Sequence, residues 1–133
     1  MPAHQTAQVT VTSRRYLGVP ASVTAARRLV REVLDGSPRW DDAELIAAEL
    51  MTNAIRHTPS GCPGGTFTIT IRHSSRWARL EVTDLGVGQW LAPPSDGTAE
   101  YGRGLVIVDM LAENFGRDVG DGGMPTVWAE ITW

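Results

Sequence analysis

Residues 66–84 read TFTITIRHSSRWARLEVTD. Phe67, Ile69 and Ile71 alternate with threonines, and Ala78, Leu80 and Val82 alternate with Arg79 and Glu81. A period of two is the mark of a strand with one buried face. Ser74, Ser75 and Arg76 make a short turn between the two runs, so 66–73 and 77–84 are predicted to pair as a hairpin. Counting by twos from Leu80 and Val82 leads to Asp84, which therefore projects toward the buried side. An unpaired carboxylate is costly there. Either Asp84 caps the turn in DLGVG, or it is an acceptor for a ligand's N–H group.

The segments around the hairpin alternate between helix and strand patterns. AQVTVTSRRYL (7–17) has strand character, with Val9 and Val11 set among threonines. Pro20 opens a helix in which Val23, Ala26, Val30 and Val33 share one face, and Gly36 stops it. Asp41 or Asp42 can cap a second helix over roughly 42–58, which Pro59 and Gly61 end. Downstream, GLVIVDMLAENFG (104–116) reads as a glycine-bounded helix. MPTVWAEITW (124–133) reads as a last strand with Val127, Ala129 and Ile131 in phase. Helices and antiparallel strands are largely segregated, so the fold class is α+β: a two-layer α/β sandwich with helices on one face of a mixed, mostly antiparallel sheet.

The second helix carries a polar pair. At about 100° per residue, Ala47, Leu50, Met51, Ala54 and Ile55 form an apolar arc, while Glu49 and Asn53 stand together elsewhere. Arg56 lies one turn on and His57 near the edge. The pair is either a solvated face or the wall of a cleft. Its flanking residues, Ile46, Ala48 and Thr52, are poor solubilising neighbours and favour the cleft. A hard cation such as Mg²⁺ prefers oxygen ligands and retains water, so Asn53 can anchor one while Glu49 stays free as a base.

Composition narrows the alternatives. The chain has 133 residues, a net charge of −3 and no lysine among its twelve basic residues. Lysine-dependent phosphate binding and Schiff-base chemistry are excluded, and nothing marks a nucleic-acid or anionic-membrane surface. Cys62 is the only cysteine, which excludes an intrachain disulfide and a thiolate metal cluster. MPAHQTAQ has no basic n-region or apolar h-region, and no apolar run reaches membrane-spanning length. A single domain over 1–133 in the cytoplasm is the expectation.

Two glycine pairs complete the pattern. Gly86 and Gly88 follow Asp84, where they give either a turn or close backbone access to a flat ligand. Gly102 and Gly104 precede GLVIVDML, where backbone N–H groups and the helix dipole favour an anion. Arg103 lies between them and either adds charge or points to solvent.

Taken in order, ELMTNAIRH, DLGVG and YGRGL resemble the asparagine box and the two glycine boxes of the GHKL, or Bergerat-fold, ATPases, a superfamily that includes gyrase and the histidine kinases. PTVWAEI is similar to that family's last motif, and the likeness covers nearly the whole chain. The short domain and the wording of ELMTNAIRH and GRGLVIVDML look most like the stand-alone anti-sigma-factor serine/threonine kinases.

The resemblance implies ATP and Mg²⁺ as cofactors. It implies Glu49 as general base, Asn53 as the Mg²⁺ ligand and Arg56 among the nucleotide contacts. Asp84 would accept the adenine amino group, with Thr126 supporting it, and Gly86 and Gly88 would line the nucleotide. Gly102, Arg103, Gly104 and Leu105 would close over the phosphates, and residues 89–101 would form an ATP lid. Asp96 and Glu100 are that segment's only charges, so the lid brings no cation to the phosphates. The implied partners are an anti-anti-sigma (STAS-type) substrate protein and a sigma factor, with a homodimer through the first strand and helix, and no direct nucleic acid or membrane. A nucleotide-gated binding module without kinase activity is the alternative. The blander one is an α/β domain whose glycines only turn the chain.

Overall fold

The computed structural model describes residues 8–57, 59–85, 99–119 and 123–133, with the backbone alone for Pro59 and residues 99–104. In chain order they form β1 (Thr10–Leu17), α1 (Pro20–Val33), α2 (Trp40–His57), a 3-10 turn (Pro59–Gly61), β2 (Thr66–Ser74), β3 (Trp77–Asp84), α3 (Ala99–Leu111), β4 (Asn114–Val119) and β5 (Pro125–Thr132). The sheet order is β1-β2-β3-β5-β4. Every described pairing is antiparallel.

The predicted hairpin forms, with Ile69 opposite Val82 and Ile71 opposite Leu80. Phe67, Ile69, Ile71, Ala78 and Leu80 are fully buried, facing the helices together with Ala129 and Ile131 of β5. Each large apolar side chain in this layer contributes about 1.5–3 kcal/mol by leaving water. Tyr16 of β1 stacks on Phe67 with ring centroids 5.9 Å apart, which extends the layer to the sheet edge. On the other face of β1, Val11 and Leu17 stay exposed, and so does Val9 just ahead of the strand.

The three described helices cover the inner face. α1 packs against β1, β2 and α2; α2 lies mainly along β3, and α3 reaches β4. Pro20 holds the first helical position of α1, and Gly36, at φ +90°, turns the chain beyond its end. Ala26 and Val30 are buried as the pattern predicts, Leu29 joins them, and Val23 and Val33 sit at the margin. α2 begins at Trp40, so Asp41 and Asp42 occupy its first turn rather than its cap. Their negative charge suits the positive end of the helix. Ile46 belongs to the core, fully buried, rather than to the surroundings of a polar cleft.

The third helix differs most from expectation. It spans Ala99–Leu111, not 104–116, and residues 114–119 pair with β5 as a strand. Phe115 lies opposite Ala129 in register, where it packs against the core. Tertiary burial on an open sheet edge outweighs the helical pattern of GLVIVDMLAENFG.

Arg39 fixes how α2 and α3 run. From just ahead of α2, its guanidinium donates to the carbonyl of Leu111, which ends α3, and to that of Thr132 in β5. It also bonds Asp42 at 3.0 Å and Glu113 at 2.8 Å. The start of α2 therefore meets the end of α3, and the two helices run antiparallel. No helix among the described residues is long and apolar enough to cross a membrane.

Candidate functional site

At the other end of α2 the chain turns through Pro59–Gly61, and the Ser60 hydroxyl donates to Oδ1 of Asp84 at the end of β3. That bond places the end of α2 beside the end of β3. Because α3 runs against α2, its first turns approach the same end of the sheet. Three elements thus converge there, from 49–57, 84 and 99–105, the segments that carry the sequence motifs.

Alternation along β3 buries Ala78, Leu80, Val82 and Asp84 in turn, so the carboxylate points inward as predicted. It is 4% exposed. Ser60 makes the one side-chain hydrogen bond to it among the described residues, on Oδ1. A carboxylate has room for about four acceptor interactions, so Asp84 retains capacity to accept from a ligand.

On α2, Glu44 turns toward α1 and is held by Arg27 at 3.0 Å and Arg31 at 3.1 Å. Glu49, five residues on, lies about 140° further round the helix, away from α1. Asn53 follows at one turn on the same flank, and both are only partly exposed. The pair stands at the rim of the helical layer, between full burial and open solvent. Their carboxylate and carboxamide oxygens suit a hard cation that keeps most of its own waters. Among the described residues no group of three or more His, Cys, Asp or Glu is placed to hold a metal. Arg56 is exposed and His57 half-buried.

Other predicted positions fall differently. Gly86, Gly88 and residues 89–98 lie outside the described residues. Gly102, Arg103 and Gly104 lie within α3, which starts at Ala99 rather than at Gly104. In a helix starting there, the described N–H groups without an intrahelical partner are those of residues 99–101. The end with free backbone donors moves back accordingly, and Gly102, Gly104 and the half-buried Leu105 lie within the helical ladder. Thr126 is buried, but its register partner is Thr83, and the two hydroxyls bond at 3.0 Å. Thr83 and Asp84 are consecutive in β3 and face opposite sides. The Thr126 side chain is therefore on the far side of the sheet from the Asp84 carboxylate, and the structure does not bring the two together.

Ser60 is the residue that sequence reasoning missed. Pro59-Ser60-Gly61 was legible only as a helix stop. The residue is fully buried, and no spacing in the sequence couples it to a carboxylate 24 positions away.

The arrangement offers an inward acceptor, an oxygen-donor pair and a helix N-terminus at one end of a sheet. Those are the parts needed to hold a base, a metal-bound polyphosphate and its negative charge. A family model described as the histidine kinase-like ATPase domain matches residues 18–129 of the chain. No curated protein matches it.

Proposed function

The chain belongs to the histidine kinase-like ATPase domain family, and from that premise we propose that it is an ATP-dependent protein kinase of the anti-sigma-factor type. It transfers the γ-phosphoryl group of ATP to a serine or threonine of an anti-anti-sigma protein, and it sequesters a sigma factor. ATP binding follows from the family; the kinase reaction and the partners are our reading.

The observation that carries this reading is Glu49 beside Asn53 on one flank of α2. Nucleotide binding alone needs no base. In the reaction Glu49 takes the proton from the substrate hydroxyl as its oxygen attacks the γ-phosphorus. The bond from that phosphorus to the bridging oxygen breaks, and ADP leaves with the electron pair. Asn53 provides the protein ligand for Mg²⁺, whose charge neutralises the phosphates when it is bound. Asp84 accepts from the adenine amino group and so fixes the position of the nucleotide. The first turn of α3, directly ahead of Gly102 and Arg103, faces the phosphates with backbone donors and the helix dipole. Phosphoryl transfer asks mainly for this positioning and charge stabilisation.

The edge position of β1 and the exposed Val9, Val11 and Leu17 suit a homodimer through that strand. Sedimentation of the purified protein checks it.

The test is incubation with Mg²⁺–ATP and anti-anti-sigma proteins, scored as phosphoserine or phosphothreonine. Glu49→Ala should lose transfer yet keep nucleotide. Tight ATP binding with no transfer to any such protein sinks the kinase reading and leaves a nucleotide-gated binding module.

A further inference from the structure

We propose that Ser60 is a positioning residue for purine selectivity, acting through Asp84. This inference rests on the nucleotide-binding reading above, and concerns a residue outside the motifs that carry it.

Its hydroxyl donates to Oδ1 of Asp84. Both residues are buried, Ser60 completely. A carboxylate on a single Cβ can rotate about its terminal torsion, whose preference is broad. A donor fixed on one oxygen removes that freedom. Oδ1 is then committed to the protein, and Oδ2 is aimed in one direction as an acceptor. No described residue donates to Oδ2.

Ser60 is itself held by backbone. Gly18, between β1 and α1, approaches so closely that a Cβ there would stand 1.6 Å from the Ser60 carbonyl oxygen. Gly18 N–H also donates to the Gly65 carbonyl at 2.9 Å, and Gly65 N–H donates to Cys62 at 2.7 Å. The turn is thus pressed between the end of β1 and the start of β2. Backbone contacts of this kind set an atom's position more narrowly than a flexible side chain does.

The consequence is chemical selectivity. An aimed acceptor rewards a 6-amino purine, whose N–H meets it. A 6-oxo purine presents an oxygen at that point, and two acceptors facing each other in a buried site are unfavourable. With the donor gone, the carboxylate can swing to meet the N1–H of a 6-oxo purine, and discrimination falls. A serine that only packed the turn would affect all purines alike.

The experiment titrates wild-type protein and Ser60→Ala with three Mg²⁺-triphosphates: ATP, inosine triphosphate and purine riboside triphosphate, which has no 6-substituent. Thermal melts without nucleotide establish that each variant is folded. Wild type should prefer ATP. Ser60→Ala should weaken ATP about tenfold, as for misplacing the acceptor of one charge-assisted hydrogen bond to the 6-amino group, leave the unsubstituted purine within about twofold, and narrow the ATP-to-inosine ratio. Should Ser60→Ala not fold, Ser60→Thr and Ser60→Val make the same comparison at matched volume, with selectivity kept by threonine and lost by valine. Equal weakening of all three nucleotides, or no change in any, overturns the role of Ser60 while leaving the nucleotide reading intact. Wild-type protein that binds none of them overturns the nucleotide reading itself, and this inference with it.

Discussion

Arg39, the residue before α2, donates a hydrogen bond to the carbonyl oxygen of Leu111, the last residue of α3. A cation at that point satisfies one of the carbonyls that a helix end leaves without a partner, and it opposes the negative pole of the helix. The same guanidinium also binds Glu113, Asp42 and the Thr132 carbonyl. One side chain therefore ties the ends of two helices to the last strand, at the end of the sheet remote from Asp84.

Arg39→Ala should lower stability by about 1–3 kcal/mol, the cost of leaving charge-assisted acceptors partly unpaired. Urea unfolding reads that change. Nucleotide affinity measured well below the melting temperature should stay within about twofold of wild type, because additivity holds for distant sites. A large fall in affinity at unchanged stability would mean that the two ends of α2 are coupled.

Gly116 of β4 lies opposite Trp128 of β5. A Cβ at Gly116 would stand 2.9 Å from the indole ring, whose other contacts include the Arg79 guanidinium, 4.1 Å from the ring centroid. Arg79 is itself held by Glu81 at 2.8 Å. The indole has little room to give. Gly116→Ala should therefore cost about 1–3 kcal/mol, the usual range for overpacking. Denaturant midpoints check the cost, and a change in tryptophan emission checks that the indole has moved.

The hairpin was legible in the sequence because strict alternation states its register, and Asp84 followed from the same count. The polar flank of α2 was legible for the same kind of reason. What escaped depended on contacts between distant segments. Residues 112–116 carry a helix-like continuation, and only the open edge of β5 makes 114–119 a strand. Glu44 looks like one more carboxylate on a helix until α1 brings Arg27 and Arg31 to it. The motif sets Thr126 beside Asp84, yet the register with Thr83 turns its hydroxyl to the opposite face. A slip of one residue in pairing inverts every side chain of a strand, and the loop before Thr126 has no pattern that states the register.

Asn53→Ala should remove the part of ATP affinity that depends on Mg²⁺. Titrations with and without the ion should converge for the variant, while wild type shows a gain of about tenfold or more, the scale of a lost metal ligand or its support. The apolar arc of α2 does not include Asn53, so its melting temperature should hardly change. An unaltered Mg²⁺ dependence would place the metal ligand elsewhere.

Asp84→Asn tests the inward acceptor directly. Asparagine keeps the volume and can still accept from Ser60 through its carbonyl oxygen, so the fold and the turn at Pro59–Gly61 should persist. The atom aimed at the purine then becomes an amide nitrogen, a donor. Facing the adenine amino group it opposes rather than receives a hydrogen bond, and ATP should bind about 10–100-fold more weakly, as for an unpaired buried polar group. Toward inosine triphosphate the sign reverses, because an amide donor meets the 6-oxo group. Calorimetric titration of both nucleotides against wild type and variant reads the crossover. Wild-type ATP affinity in Asp84→Asn would mean that the adenine lies elsewhere, since no buried carboxylate that receives an amino group can be exchanged for an amide without penalty.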